Sequence, residues 1–166
     1  MSKFSYDLPG SGGGTFASAG PASVGCATVR DHVFVLPSAN RYSVRWSAIG
    51  DPTDWPVADT NDARTKQSGL QVFPNQHGVV TGVAGNDFFA YIFQERAVWK
   101  ANYVGGDVVY SFNAFEEGRG CWRLARFERV DDAVFFESEF AYHVVENDVV
   151  SDIGFGLVDK SYPATS

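Results

Sequence analysis

An acidic residue followed by a short apolar run, a polar turn and a second run of alternating character occurs three times along this chain. That recurrence restricts the fold more than any other feature. Asp31 leads into His32-Val33-Phe34-Val35-Leu36, the turn residues Pro37-Ser38-Ala39-Asn40, and then Tyr42-Ser43-Val44-Arg45-Trp46-Ser47. Asp87 leads into Phe88-Phe89-Ala90-Tyr91-Ile92-Phe93, a Gln94-Glu95-Arg96 turn, and Ala97-Val98-Trp99-Lys100-Ala101-Asn102-Tyr103. Asp132 leads into Ala133-Val134-Phe135-Phe136, a Glu137-Ser138-Glu139 turn, and Phe140-Ala141-Tyr142-His143-Val144-Val145. Period-two alternation bounded by turn residues is the pattern of paired strands.

Each unit is also preceded by an apolar stretch: Cys26-Ala27-Thr28-Val29, Val79-Val80-Thr81-Gly82-Val83 and Leu124-Ala125-Arg126-Phe127. A further strand, Val108-Val109-Tyr110-Ser111-Phe112, follows the Gly105-Gly106 turn, so a unit holds three or four strands. The leading acids are 56 and 45 positions apart, close to the roughly 40–50-residue period of propeller blades. The 14 Phe, 7 Tyr and 4 Trp of the composition suit a pleated surface. The expected fold class is all-β: antiparallel, blade-like hairpin repeats, propeller-like but incomplete. A closed propeller has about four blades or more, and three units are present.

With 166 residues, 45% of them hydrophobic, the chain can build one packed domain, expected over residues 23–160 with a short tail over 161–166. Residues 1–22 offer little to anchor a core. Gly10, Gly12, Gly13 and Gly14 make this segment costly to order alone. It reads as a flexible arm that docks on a neighbouring subunit. Residues 51–77 read as a long polar loop with room for one short helix. Within it Asp59, Asn61, Arg64 and Lys66 are candidate subunit contacts, because loops on a rigid scaffold tend to carry binding.

A net charge of −7 and scattered Lys and Arg disfavour a nucleic-acid backbone or an anionic membrane as partner. No apolar run of bilayer-spanning length and no signal peptide is evident, so a soluble cytoplasmic origin is expected. Cys26 and Cys121 lack metal or redox spacing and are expected to be buried thiols.

Catalytic patterns are missing from the sequence. The Gly10–Gly14 run lacks the Lys-Ser/Thr ending of a phosphate loop, and no nucleophile elbow, zinc helix or calcium loop occurs. His32, His77 and His143 show no metal spacing. The carboxylate pairs Asp51/Asp54, Glu116/Glu117, Asp131/Asp132 and Glu137/Glu139 could suit glycoside hydrolysis. Their positions at turns and hairpin ends favour backbone capping and edge protection instead. The expectation is a protein that is not an enzyme and uses no cofactor or metal.

Trp46, Trp55, Trp99 and Trp122 remain as scaffold aromatics, Trp46 and Trp99 at similar points of their units. The string from Tyr42-Ser43-Val44-Arg45-Trp46-Ser47 through Gly50-Asp51-Pro52-Thr53-Asp54-Trp55 is distinctive. Together with Phe93-Gln94-Glu95-Arg96-Ala97-Val98-Trp99-Lys100, Tyr103-Val104-Gly105-Gly106 and Gly118-Arg119-Gly120-Cys121, it resembles propeller-containing structural proteins of tailed bacteriophages, of the tail nozzle, tubular or neck type. The resemblance spans residues 27–159. It implies a virion protein of the tail or neck, assembled in the host cytoplasm: a non-catalytic adaptor bound to other tail or neck proteins and self-associating in a ring, six-fold by resemblance. The alternative is a lectin-like β module that engages host glycan through exposed aromatics. A carboxylate-pair hydrolase is the third reading.

Overall fold

The computed structural model describes residues 20–153. Twelve antiparallel strands form three four-stranded sheets, and in each the strands follow one another in chain order. The first sheet holds β1 (Ser23–Val29), β2 (His32–Pro37), β3 (Ser43–Trp46) and β4 (Gly69–Val72). The second holds β5 (Val80–Gly85), β6 (Phe89–Gln94), β7 (Ala97–Gly105) and β8 (Val109–Glu117). The third holds β9 (Phe127–Val130), β10 (Ala133–Glu137), β11 (Tyr142–Glu146) and β12 (Val149–Ile153). None of the sheets closes on itself. The all-β class expected from sequence is present.

Asp31, Asp87 and Asp132 lie in the turns that join the first two strands of their sheets. Left-handed residues tighten these reversals: Arg30 at φ 52° and Asp131 at φ 53°. Asn147 and Asp148, at φ 50° and 62°, make a two-residue turn of the kind that matches strand twist.

The three sheets stack head to tail. In β2, His32, Phe34 and Leu36 point forward onto the second sheet, where Phe34 and Leu36 join Ala90, Ile92, Val109 and Tyr110 in one core. In β6 the other alternation, Phe89, Tyr91 and Phe93, points forward onto the third sheet and meets Val134, Phe136 and Val145 in a second core. The middle sheet is therefore covered on both faces, which explains why Phe89-Ala90-Tyr91-Ile92-Phe93 is apolar without interruption. Full burial of each such side chain contributes about 1.5–3 kcal/mol. Close approach at each core demands glycine: the Phe127 ring occupies the space a Cβ on Gly82 would take, and the Trp46 ring does the same at Gly69.

Several expectations need correction. The long loop over residues 51–77 contains a helix, α1 (Asn61–Thr65), the strand β4 and a 3-10 turn, Asn75–His77. Thr60 caps α1 by accepting from the Ala63 amide at 3.1 Å. Gln94 is not a turn residue: it ends β6 fully buried, leaving a two-residue Glu95-Arg96 turn. Its amide donates to Pro74 O at 2.9 Å and Gly78 O at 2.7 Å and accepts from Trp99 Nε1 at 2.8 Å. In the third unit the first strand starts at Phe127, after the expected Leu124-Ala125-Arg126. Its last expected strand begins at Tyr142, because Ser138 holds residues 138–141 as a loop and leaves Phe140 89% exposed. Cys121 is buried, whereas Cys26 is exposed; it pairs with Val35 on the side of β1 away from the core.

Candidate functional site

One constellation has the outline of a hydrolytic triad. Ser138 Oγ lies 2.8 Å from His143 Nε2, and His143 Nδ1 lies 2.8 Å from Asp152 Oδ1. The details argue for a structural clamp. Ser138 Oγ accepts from the Phe140 amide at 3.3 Å and the Ala141 amide at 3.2 Å, so both lone pairs of the would-be nucleophile are engaged. Those amides are consequently not aimed at a developing oxyanion. The contact from Nδ1 to Asp152 falls outside hydrogen-bond geometry, although a working triad orients its imidazole through that bond. Asp152 is also held by Arg119 Nη1 at 3.0 Å, and the same guanidinium grips Glu116 in a bidentate pair.

A second buried polar group ties the first two sheets together. Tyr110 donates to His32 Nδ1 at 2.9 Å, and His32 Nε2 donates to Gln67 O at 3.1 Å. This arrangement fixes the neutral tautomer. Burial holds the His32 imidazole below its ordinary pKa, the Gln67 carbonyl and Asp31 opposing. Tyr103 donates to Gln67 Oε1 at 2.6 Å, while the Arg30 guanidinium lies over the Tyr103 ring. These groups are engaged by one another.

Of the carboxylate pairs, Asp51/Asp54 and Glu116 are engaged by local partners. Asp51 Oδ1 accepts from the amide and hydroxyl of Thr53 at 2.9 and 2.7 Å, which lowers its pKa, the hydroxyl contributing most. Asp54 pairs with Lys66 at 2.8 Å. Among the described residues no group of three or more His, Cys, Asp or Glu is placed to hold a metal ion. No described helix is long and apolar enough to cross a membrane.

The ends of the stack are the remaining candidate surfaces. On the backward face of the first sheet, Arg45 donates to Trp55 O at 2.9 Å and Pro56 O at 2.6 Å, fastening this segment against the strands. Val35, which pairs with Arg45 across the ladder, is buried, as are Pro37 and Ser43. On the forward face of the third sheet, Val130, Phe135, Tyr142 and Val149 are exposed at 53%, 39%, 47% and 60%. A shallow depression there is lined by, among others, Arg126, Glu128, Phe135, Glu137, Tyr142 and Ile153. No protein-family model matches this chain, and no curated protein matches it either.

The sequence-predicted residues are dispersed. Gly10, Gly12, Gly13 and Gly14 lie outside the described residues, as does the tail over 161–166. Asp59, Asn61 and Arg64 are exposed on and before α1, while Lys66 is engaged by Asp54 and Asp62. Trp46 and Trp55 are buried; Trp99 and Trp122 are half-buried. Trp46 and Trp99 are not repeat equivalents. Trp46 faces forward from the first sheet and Trp99 faces backward from the second, and both enter one core. The open face of the third sheet escaped the sequence reading. Its signal was there in the second alternation of β10 and β11, where Ala133, Phe135, Tyr142 and Val144 interleave with the buried set.

Proposed function

We propose that the protein is a non-catalytic structural component of a tailed-phage virion, an adaptor between subunits in the tail or neck. The observation that carries this reading is a head-to-tail stack of three four-stranded meanders whose last apolar face is exposed. Repeat arrays bury each unit against its neighbour, and an uncapped terminal face calls for a further neighbour. Taken with the strings that resemble phage propeller proteins, the sheets read as blades of an incomplete propeller. Other tail or neck proteins are then its partners. A ring around the tail axis, six-fold by resemblance, is its assembly. The host cytoplasm is where the virion is put together.

A lectin-like reading requires an exposed aromatic platform, and Trp46 and Trp55, only 4% and 6% exposed, cannot supply one. The test of the adaptor reading is mass spectrometry of purified particles combined with electron cryomicroscopy. The expected outcome is this chain in ring-shaped density at the tail or neck. A chain absent from particles and monomeric when purified would sink the reading.

A further inference from the structure

The forward face of the third sheet has a chemistry the other faces lack. Three glutamates stand on it, each directly across the ladder from an apolar side chain: Glu128 beside Phe135, Glu137 beside Tyr142, and Glu146 beside Val149. Among the described residues none of these carboxylates has an ion pair or a side-chain hydrogen bond. Among the described residues the one Arg or Lys bordering this face is Arg126, at its rim across from Glu137, so Glu128 and Glu146 have no cation beside them. From Arg126 to Ile153 the chain carries eight Asp and Glu against two Arg and no Lys, and Arg129 turns backward to donate to the Gly85 carbonyl of the second sheet.

We infer that this face is an interface for a different protein, and that its partner presents an apolar antiparallel sheet face carrying Lys or Arg opposite Glu128, Glu137 and Glu146. The sheet form follows from continuity. Ala133, Phe135 and Glu137 occupy in β10 the places that His32, Phe34 and Leu36 occupy in β2 and Phe89, Tyr91 and Phe93 in β6, and both of those sets are covered by a following sheet. The basic chemistry follows from the carboxylates, since burying them unpaired is strongly unfavourable.

A second copy does not satisfy either requirement. Forward face on forward face sets six glutamates against only the two Arg126 side chains at the rims, leaving most of the carboxylates without a cation. Head-to-tail contact needs the backward face of the first sheet, whose centre lies under Trp55 and Pro56 and whose arginine, Arg45, already donates to their carbonyls. The inference rests on the adaptor reading only for where the partner is to be found.

The experiment uses this chain with its exposed thiol removed (Cys26→Ser) and an environment-sensitive dye on Phe135→Cys. The probe is the unlabelled triple variant Glu128→Lys, Glu137→Lys, Glu146→Lys, which offers an apolar face made basic. Adding it should shift the dye emission to the blue at about 0.05 M salt, with affinity at least roughly tenfold weaker at about 0.5 M. The single variant Glu146→Lys should give a weaker shift of the same sign, which keeps the test valid if the triple variant folds poorly. No shift with either variant overturns the inference. A shift produced by unlabelled wild-type chain assigns the face to a second copy and also overturns it. So does emission that is blue in the isolated chain until residues 154–166 are deleted. In particles, a benzophenone in place of Phe135 should cross-link to a Lys- or Arg-bearing peptide of another protein, and a cross-link to this chain counts against the proposal. The dye titration needs no virion, so its failure is separable from absence of the chain from particles.

Discussion

The first and third sheets share one strand order and end the stack in opposite ways. At the first, Arg45 draws Trp55 and Pro56 over the outer face, and Trp55 is buried. At the third, no described segment crosses the equivalent strands, and glutamates alternate with Val, Phe and Tyr. One end is covered by the chain's own loop and the other, among the described residues, is exposed. Terminal repeats of stacked architectures need a cap to stay soluble. Acidic residues on an exposed sheet face favour solubility and disfavour self-pairing.

The sharpest way to break this comparison uses two adjacent residues of β10. Phe136 faces the second sheet at 2% exposure, and Phe136→Ala should remove about 3–5 kcal/mol of stability in urea unfolding. An effect under about 1 kcal/mol would mean that the third sheet does not pack as described. At the capped end, Trp55→Ala should cost about 3 kcal/mol and render Val35 accessible, seen as faster hydrogen exchange in β2. If stability falls without a change in β2 exchange, Trp55 is not the lid.

A third test concerns the junction between the first two sheets. The folded pKa of His32 is lowered by burial, so below the ordinary histidine range the unfolded chain binds a proton that the native chain does not. Stability from this group is therefore complete above about pH 6.5 and declines as pH falls through that value towards the lowered folded pKa. His32→Phe should abolish the decline between about pH 6.5 and the carboxylate range. An unchanged pH profile in the variant would assign the dependence elsewhere.

The three-unit organisation is legible in the sequence because turn residues and period-two alternation are local signals. Four strands per unit is legible only where the fourth strand is long. β8 spans nine residues, whereas β4 is Gly-Leu-Gln-Val, a strand made by pairing with β3 and by the Trp46 ring lying on Gly69. Facing is harder still. Counting from the leading acids aligns Phe34 with Ala90; counting from the first strand residues, His32 and Phe89, aligns it with Tyr91. The second count is the structural one, because the turn after β5 is one residue longer than the turn after β1. That single residue reverses the assignment of every side chain to a face, which is why Trp46 and Trp99 look equivalent in sequence and are not. The open face was hidden for a related reason: Val134-Phe135-Phe136 is apolar on both alternations, and only packing tells which is covered.

The smallest expected effect is the most informative about that face. Phe135→Ser should change the stability of the isolated chain by no more than about 0.5 kcal/mol, since the ring is 39% exposed and turned away from the second core. It should nevertheless lower binding of a hydrophobic dye, because the one wholly apolar ring lining the depression from the open face has gone. The contrast with Phe136→Ala is what matters: two neighbouring phenylalanines should differ by roughly 3 kcal/mol, a difference created wholly by which sheet is present to receive them. A loss above about 2 kcal/mol for Phe135→Ser would show the ring packed in the isolated chain. The third sheet would then be finished from within, like the first, and the asymmetry between the two ends would disappear.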